Sequence, residues 1–143
     1  MTAPITAPIT GQDLGIAAAA TRQLFDDLLA DAGSDFEEWV TLLTLSQRPE
    51  PIERAALRTN LGQLLSIAEP TADRLISRTA ARGYVSSGDA VALTAAGEQT
   101  FQQLRASVGD LAATLYGDFA PADLETAGRV IRKVAQRAKA LAS

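Results

Sequence analysis

Neither cysteine nor histidine occurs anywhere in the chain. Without cysteine there is no disulfide and no thiol redox chemistry. Without histidine the commonest metal ligand and the commonest acid–base catalyst are both missing. An enzyme made from what remains would need paired carboxylates or a serine–lysine arrangement. The acidic residues instead fall at helix ends and on polar faces, with no convergent set, so the expectation is a protein that is not an enzyme and holds no metal or cofactor. Long hydrophobic runs are absent too: no stretch approaches the ~20 apolar residues of a membrane helix. The first ten residues repeat Thr-Ala-Pro-Ile and have neither the basic start nor the apolar core of a signal peptide. Residues 1–11 read as a mobile arm, and the cytoplasm is the expected location. Lysine is scarce, with Lys133 and Lys139 the only two among 13 basic residues. Such an arginine bias in an alanine-rich chain suggests a GC-rich bacterial genome.

With 143 residues, 47% of them hydrophobic, the chain can bury a real core as one domain, or as a small domain with an oligomerisation element. Its net charge of −4 is unevenly spread. Residues 1–47 set Arg22 against seven carboxylates, a balance of −6, whereas residues 48–82 hold six arginines against four carboxylates, a balance of +2. Positive charge therefore collects in the middle of the chain, which is the footprint expected of a nucleic-acid reader.

That middle stretch, residues 57–94, organises the rest. Leu57, Leu61, Leu64 and Leu65 recur at helical steps, and so do Ala72, Leu75, Ile76 and Thr79 a little further on. Pro70 suits the first turn of the second of these helices, and Gly83 after Arg82 suits its left-handed end. Residues 52–56 are expected to add a helical turn ahead of the first, with Thr59 as its N-cap. Tyr84-Val85 and Val91-Ala92-Leu93 then form two short strands around Ser86-Ser87-Gly88-Asp89. Helix, turn, helix, hairpin is the layout of a winged helix-turn-helix. On the second helix Arg74, Arg78 and Arg82 recur every four residues opposite the apolar face. Such a stripe is either a solvated surface with local ion pairs to Glu69 and Asp73 or a set of contacts to phosphates and base edges.

These residues resemble the recognition-helix segment of MarR-type transcriptional regulators. Leu65-Ser66-Ile67, Ala68-Glu69-Pro70-Thr71, Arg74-Leu75 and Arg82-Gly83-Tyr84-Val85 fall on that family's pattern without a gap. Leu93-Thr94-Ala95-Ala96-Gly97 is similar to its Leu-Thr-x-x-Gly, and the likeness extends more weakly over residues 12–141. The chain departs from the pattern at Ala68, where a capping serine is usual, and at Glu69 and Asp73. Its wing is short and lacks the usual arginine. The resemblance implies double-stranded DNA as partner, read by Thr59, Pro70, Thr71, Asp73, Arg74, Arg78 and Arg82, with wing contacts from Ser86 and Ser87. Arg82, at the helix end, has a structural C-terminal charge as its other reading. Cysteine-based peroxide sensing and histidine-based zinc sensing, both found among such regulators, are excluded.

Flanking helices are expected over residues 12–32, 36–47, 94–117 and 121–141. The first carries Leu14, Ala17, Thr21, Leu24, Phe25 and Leu28 on one face. Gly33 closes it, and Ser34 or Asp35 caps the next. Trp39, with Phe25, Phe36, Val40 and Leu43 around it, is either core or one wall of a pocket for a small aromatic or amphipathic effector, as the resemblance implies. The last helix bears a narrow seam, including Leu124, Ile131, Val134 and Leu141, near a seven-residue period, which suggests packing on a helix of a second subunit. With Leu14 these residues make the candidate dimer interface.

The expected fold is mainly α with a small β-hairpin wing, an α+β winged helix-turn-helix of about six helices. Residues 34–97 would form the DNA-binding domain, and residues 12–33 and 98–143 a helical dimerisation region. The leading function is a ligand-responsive regulator, dimeric on a pseudo-palindromic operator. The alternative is a winged-helix module that binds another protein.

Overall fold

Eight elements follow in order: α1 (Gly11–Asp31), α2 (Phe36–Ser46), β1 (Ile52–Glu53), α3 (Arg54–Leu65), α4 (Glu69–Ala81), β2 (Ala90–Val91), α5 (Ala95–Tyr116) and α6 (Pro121–Ala142). They come from a computed structural model that describes residues 7–143. Most of the expected N-terminal arm, residues 1–6, lies outside the described residues. The elements form two units, one reaching to residue 106 and the other spanning residues 107–143.

In the first unit, the starts of α1 and α2 have local causes. Thr10 accepts from the Asp13 backbone N–H while the Asp13 carboxylate accepts from the Thr10 N–H, a reciprocal box that opens α1 one residue earlier than expected. Gly33, at φ 77°, then turns the chain. Asp35 caps α2 through the Glu38 N–H at 2.8 Å. On α1 the expected face is half-buried at Leu14, Thr21, Phe25 and Leu28, but Leu24 on it is exposed and Leu29, beside it, is fully buried. Leu42, Leu57, Leu61, Ile76 and Val91 are likewise sealed from solvent. The early part of α5 adds Phe101 and Leu104.

Of residues 52–56, expected to form a helical turn, 54–56 do so as the start of the next helix, but the first two do not. Ile52 and Glu53 are instead a strand, antiparallel to β2, with Ile52 opposite Val91 and Glu53 opposite Ala90. Burying Ile52 against Val91 places a β-branched pair in the core, where extended backbone suits both. Helix α3 consequently begins at Arg54, and Thr59 sits inside it. The Thr59 hydroxyl donates to the Ala55 carbonyl one turn back, so it is not an N-cap. The wing is correspondingly slight, since the expected hairpin reduces to β2 and one bridge between Val85 and Leu93.

The base of the wing is fixed by the Leu-Thr-x-x-Gly segment. The Thr94 hydroxyl donates to the Gly83 carbonyl and accepts the Gly97 N–H, and the Thr94 N–H donates to the Tyr84 carbonyl. Gly97 lies so close to that strand that a Cβ there would overlap the Tyr84 carbonyl oxygen. A glycine is required at this position by contact, not by backbone angle.

In the second unit, Pro121 occupies the first turn of α6. No residue of α6 is buried in the single chain, and Leu124, Val130, Ile131, Val134 and Leu141 are all exposed. Tyr116 and Phe119 are exposed as well.

Candidate nucleic-acid interface

The turn between α3 and α4 passes through Ser66, whose φ of 55° places a non-glycine residue in the left-handed region. The Ile67 N–H then closes back on the Gly62 carbonyl. Helix α4 starts at Glu69 without a side-chain cap, because Ala68 has no acceptor to offer. Its inner face is the expected one: Ala72, Leu75, Ile76 and Thr79 are buried. Their burial leaves Pro70, Arg74, Ser77 and Arg78 on the outer side, with Thr71 and Asp73 partly covered.

A local electrostatic frame holds this helix in place. Arg54 Nε donates to Asp73 Oδ1 at 3.0 Å, and its Nη2 donates to the Asp73 carbonyl at 3.2 Å and the Ser77 hydroxyl at 2.7 Å. The Arg54 backbone N–H meanwhile donates to the Asp89 carbonyl of the wing turn at 2.7 Å. One residue thus ties the start of α3, α4 and the wing together. Arg58 approaches the same carboxylate at 3.8 Å, while its own Nε is buried without an acceptor. Asp73, doubly engaged, is a framework residue and does not present a bare charge. Neither Arg54 nor Arg58 stands out in the sequence, because their partner lies 19 residues from Arg54 and its position depends on the fold. Only the positive balance of residues 48–82 hinted at them.

The arginine stripe divides into three environments. Arg74 donates to the Thr71 hydroxyl at 3.1 Å and makes no ion pair among the described residues. Arg78 pairs with Asp35, its Nη1 2.8 Å from Oδ2. Arg82 donates from Nε to Glu38 at 2.7 Å and from Nη2 to the Gly33 carbonyl at 2.8 Å, with its guanidinium 5.0 Å from the centre of the Tyr84 ring. Instead of local ion pairs along α4, Arg78 and Arg82 make longer-range ones to the start of α2. Pro70 and Asp73 border a recess of about 250 Å³ with Arg58 and Glu69, and the Thr59 hydroxyl lies 3.4 Å from Glu69.

In the wing, the Ser86 hydroxyl donates to the Ala90 carbonyl and accepts the Ala92 N–H, so it is occupied in shaping the turn. Ser87 is exposed.

The five residues considered for an effector separate into two groups. Phe25 and Phe36 line a groove of about 580 Å³ with Ala18, Ala19, Thr21 and Arg22. The Arg22 guanidinium sits 3.8 Å above the Phe36 ring. Trp39, only 8% exposed, stacks on Phe101 with centroids 5.3 Å apart and meets Phe25 edge-on at 5.8 Å. It backs the groove through Phe25, and Val40 and Leu43 are half-buried away from the lining. Leu14 is half-buried on α1 and the other candidate interface residues lie exposed on α6.

The sequence matches no family model and no curated protein. Solved structures do share its fold. The MarR family protein Rv2887 of Mycobacterium tuberculosis, in complex with DNA, is 22% identical over 90% of this chain and 98% of its own, with a TM-score of 0.72. Wild-type MarR of E. coli in its apo form is 19% identical over 90% of this chain and 98% of its own, with a TM-score of 0.68. CouR of Rhodococcus jostii RHA1, bound to p-coumaroyl-CoA, is 12% identical over 85% of this chain and 88% of its own, with a TM-score of 0.70. Among the described residues, six helices in this order, with a two-stranded antiparallel sheet beside the helix-turn-helix, give the chain the winged-helix fold of the MarR-type proteins.

Proposed function

We propose that this protein is a DNA-binding transcriptional regulator of MarR type, acting in the cytoplasm as a homodimer on a pseudo-palindromic operator. The observation that carries this reading is Arg74: an exposed guanidinium, one turn into α4 and opposite its buried stripe, with only a hydroxyl as partner among the described residues. A cation left unneutralised on that face is available to a phosphate or to a guanine edge. The DNA complex of Rv2887 supports the reading by likeness of fold. Residues 34–97 would read DNA, with Pro70, Thr71 and Arg74 foremost and Ser87 in the wing. Residues 12–33 and 98–143 would form the dimer through Leu14 and the exposed seam of α6. A small aromatic or amphipathic effector would lodge against Phe25 and Phe36, a reading supported by Rv2887 and CouR having been solved with salicylic acid and p-coumaroyl-CoA respectively. Regulation then requires that ligand to favour one spacing of the two lobes over another. No catalytic role is assigned.

A specific observation favours a second reading. Two of the three arginines of the stripe, Arg78 and the C-cap Arg82, are already paired with carboxylates, and Glu69 is exposed at the head of the helix. Such a surface would suit a winged helix that binds another protein. Capture of genomic DNA at two salt concentrations, followed by sequencing, separates the two. A regulator retains discrete sites and loses them steeply with salt. Arg74→Ala should then weaken operator binding by roughly 1–3 kcal/mol if the contact is to a base edge. For a phosphate contact it should weaken all sequences equally and lower the salt slope by about one. No retained DNA at low salt would leave the protein-partner reading standing.

A further inference from the structure

Arg78 is held differently from its neighbours on α4. Its two terminal nitrogens face the two oxygens of Asp35, at 2.8 and 3.4 Å. Both side chains are about half exposed, at 46% and 50%. Arg82, by contrast, ends on a carboxylate that is 3% exposed and on a backbone carbonyl. Water screens the first pair, so it contributes little and exchanges readily for another anion. The second is anchored. Arg78 also lies on the same exposed stripe as Arg74, one turn along.

We propose that Asp35 and the DNA backbone are alternative partners of Arg78, so that Asp35 restrains the affinity of the free protein for DNA. This rests on the DNA-binding reading above. Asp35 can play the part without strain because it stands at the head of α2, not on α4, and a second bond fixes it there. Its Oδ1 accepts the Glu38 N–H that opens the helix. The carboxylate is therefore held beside Arg78 whether or not the pair is closed. Asp35 and Arg78 line a recess of about 320 Å³ with Arg22, Asp26, Ser34 and Glu37. Asp26 is already taken by Arg22 at 2.8 Å. Asp35 is thus the acid that neutralises Arg78, and Glu37 is a nearby acid in no ion pair among the described residues.

The proposal is tested by fluorescence anisotropy of the full chain with a labelled, mixed-sequence duplex of about 30 base pairs over a salt series. Asp35→Asn removes the charge and keeps an N-cap acceptor; Asp35→Ser does the same with a shorter side chain, should the amide disturb the turn. Each should bind roughly tenfold more tightly at ~50 mM salt, with a slope steeper by about one. The gain should vanish in Asp35→Asn combined with Arg78→Ala, and Glu37→Gln should change affinity by less than about twofold. A gain that survives loss of Arg78, or that Glu37→Gln matches, would mean general charge reduction and would overturn the proposal while leaving the regulator reading intact. Unchanged binding by both Asp35 variants would do the same. If neither the wild type nor any variant binds duplex at low salt, the regulator reading itself falls.

Discussion

Arg82 and Glu38 join the end of α4 to the start of α2 across a distance of 2.7 Å, and Glu38 is all but sealed from solvent. The Ser34 hydroxyl donates to its other oxygen at 2.7 Å, so both carboxylate oxygens are satisfied. Removing the arginine would leave a buried charge with a single neutral donor. Arg82→Ala should therefore cost about 3 kcal/mol in urea unfolding. Adding Glu38→Gln to that variant should recover part of the loss, because the penalty lies in the unpaired charge. An Arg82→Ala protein within ~0.5 kcal/mol of wild type would show the pair to be ornamental.

Gly97 gives a prediction of opposite character, since there the limit is space. A methyl group at this position must push the first turn of α5 away from the Tyr84 carbonyl, and backbone cannot yield as a side chain does. Gly97→Ala should lower stability by about 2–3 kcal/mol even though alanine favours helix. Thermal melting should fall by roughly 5–10 °C. A higher melting temperature, as propensity alone would give, would contradict the contact.

The exposed seam of α6 leads to a prediction about assembly. A 22-residue helix with no buried residue, carrying Leu124, Ile131, Val134 and Leu141 in the open, is expected to find cover in a second copy. Sedimentation should give a dimer for the whole chain, and monomer or aggregate for a truncation ending at Gly117. A well-folded dimer from the truncated chain would place the interface elsewhere.

Effector binding can be read from Trp39 without labelling. A phenol or aryl carboxylate resting on Phe25 and Phe36 would disturb the edge-on contact between Phe25 and Trp39, and so change the indole emission. At a ligand concentration of ~100 Kd the stabilisation should be about 2.7 kcal/mol. A panel of such compounds that shifts neither emission nor melting would leave Trp39 a core residue only.

What is legible in the sequence depends on range. The buried stripe Ala72, Leu75, Ile76, Thr79 and the stop at Gly83 are local signals, carried by side-chain period and backbone freedom, and they place α4 closely. Strand β1 is illegible because two residues carry no period; only its partner, β2, some 37 residues on, makes Ile52–Glu53 a strand. Thr59 misleads because a hydroxyl ahead of an apolar run resembles a cap, while the helix has already begun at Arg54. The same limit applies to the candidate site. A four-residue step shows that Arg74, Arg78 and Arg82 share a face, but the environments of the last two are set by Asp35 and Glu38, more than forty positions away. The groove at Phe25 and Phe36 is likewise a product of how α1 and α2 meet.

The contact at Gly97 has a mechanical consequence. With the Tyr84 carbonyl pressed against the first turn of α5, and Thr94 bonded to both Gly83 and Gly97, the root of the wing behaves as a vane keyed to a shaft. Turning the shaft turns the vane; lengthening or trimming its tip at Ser87 and Gly88 does not. The heading of the wing is therefore a property of the helix behind it, and substitutions near the start of α5 should redirect the wing while every residue at its tip stays the same.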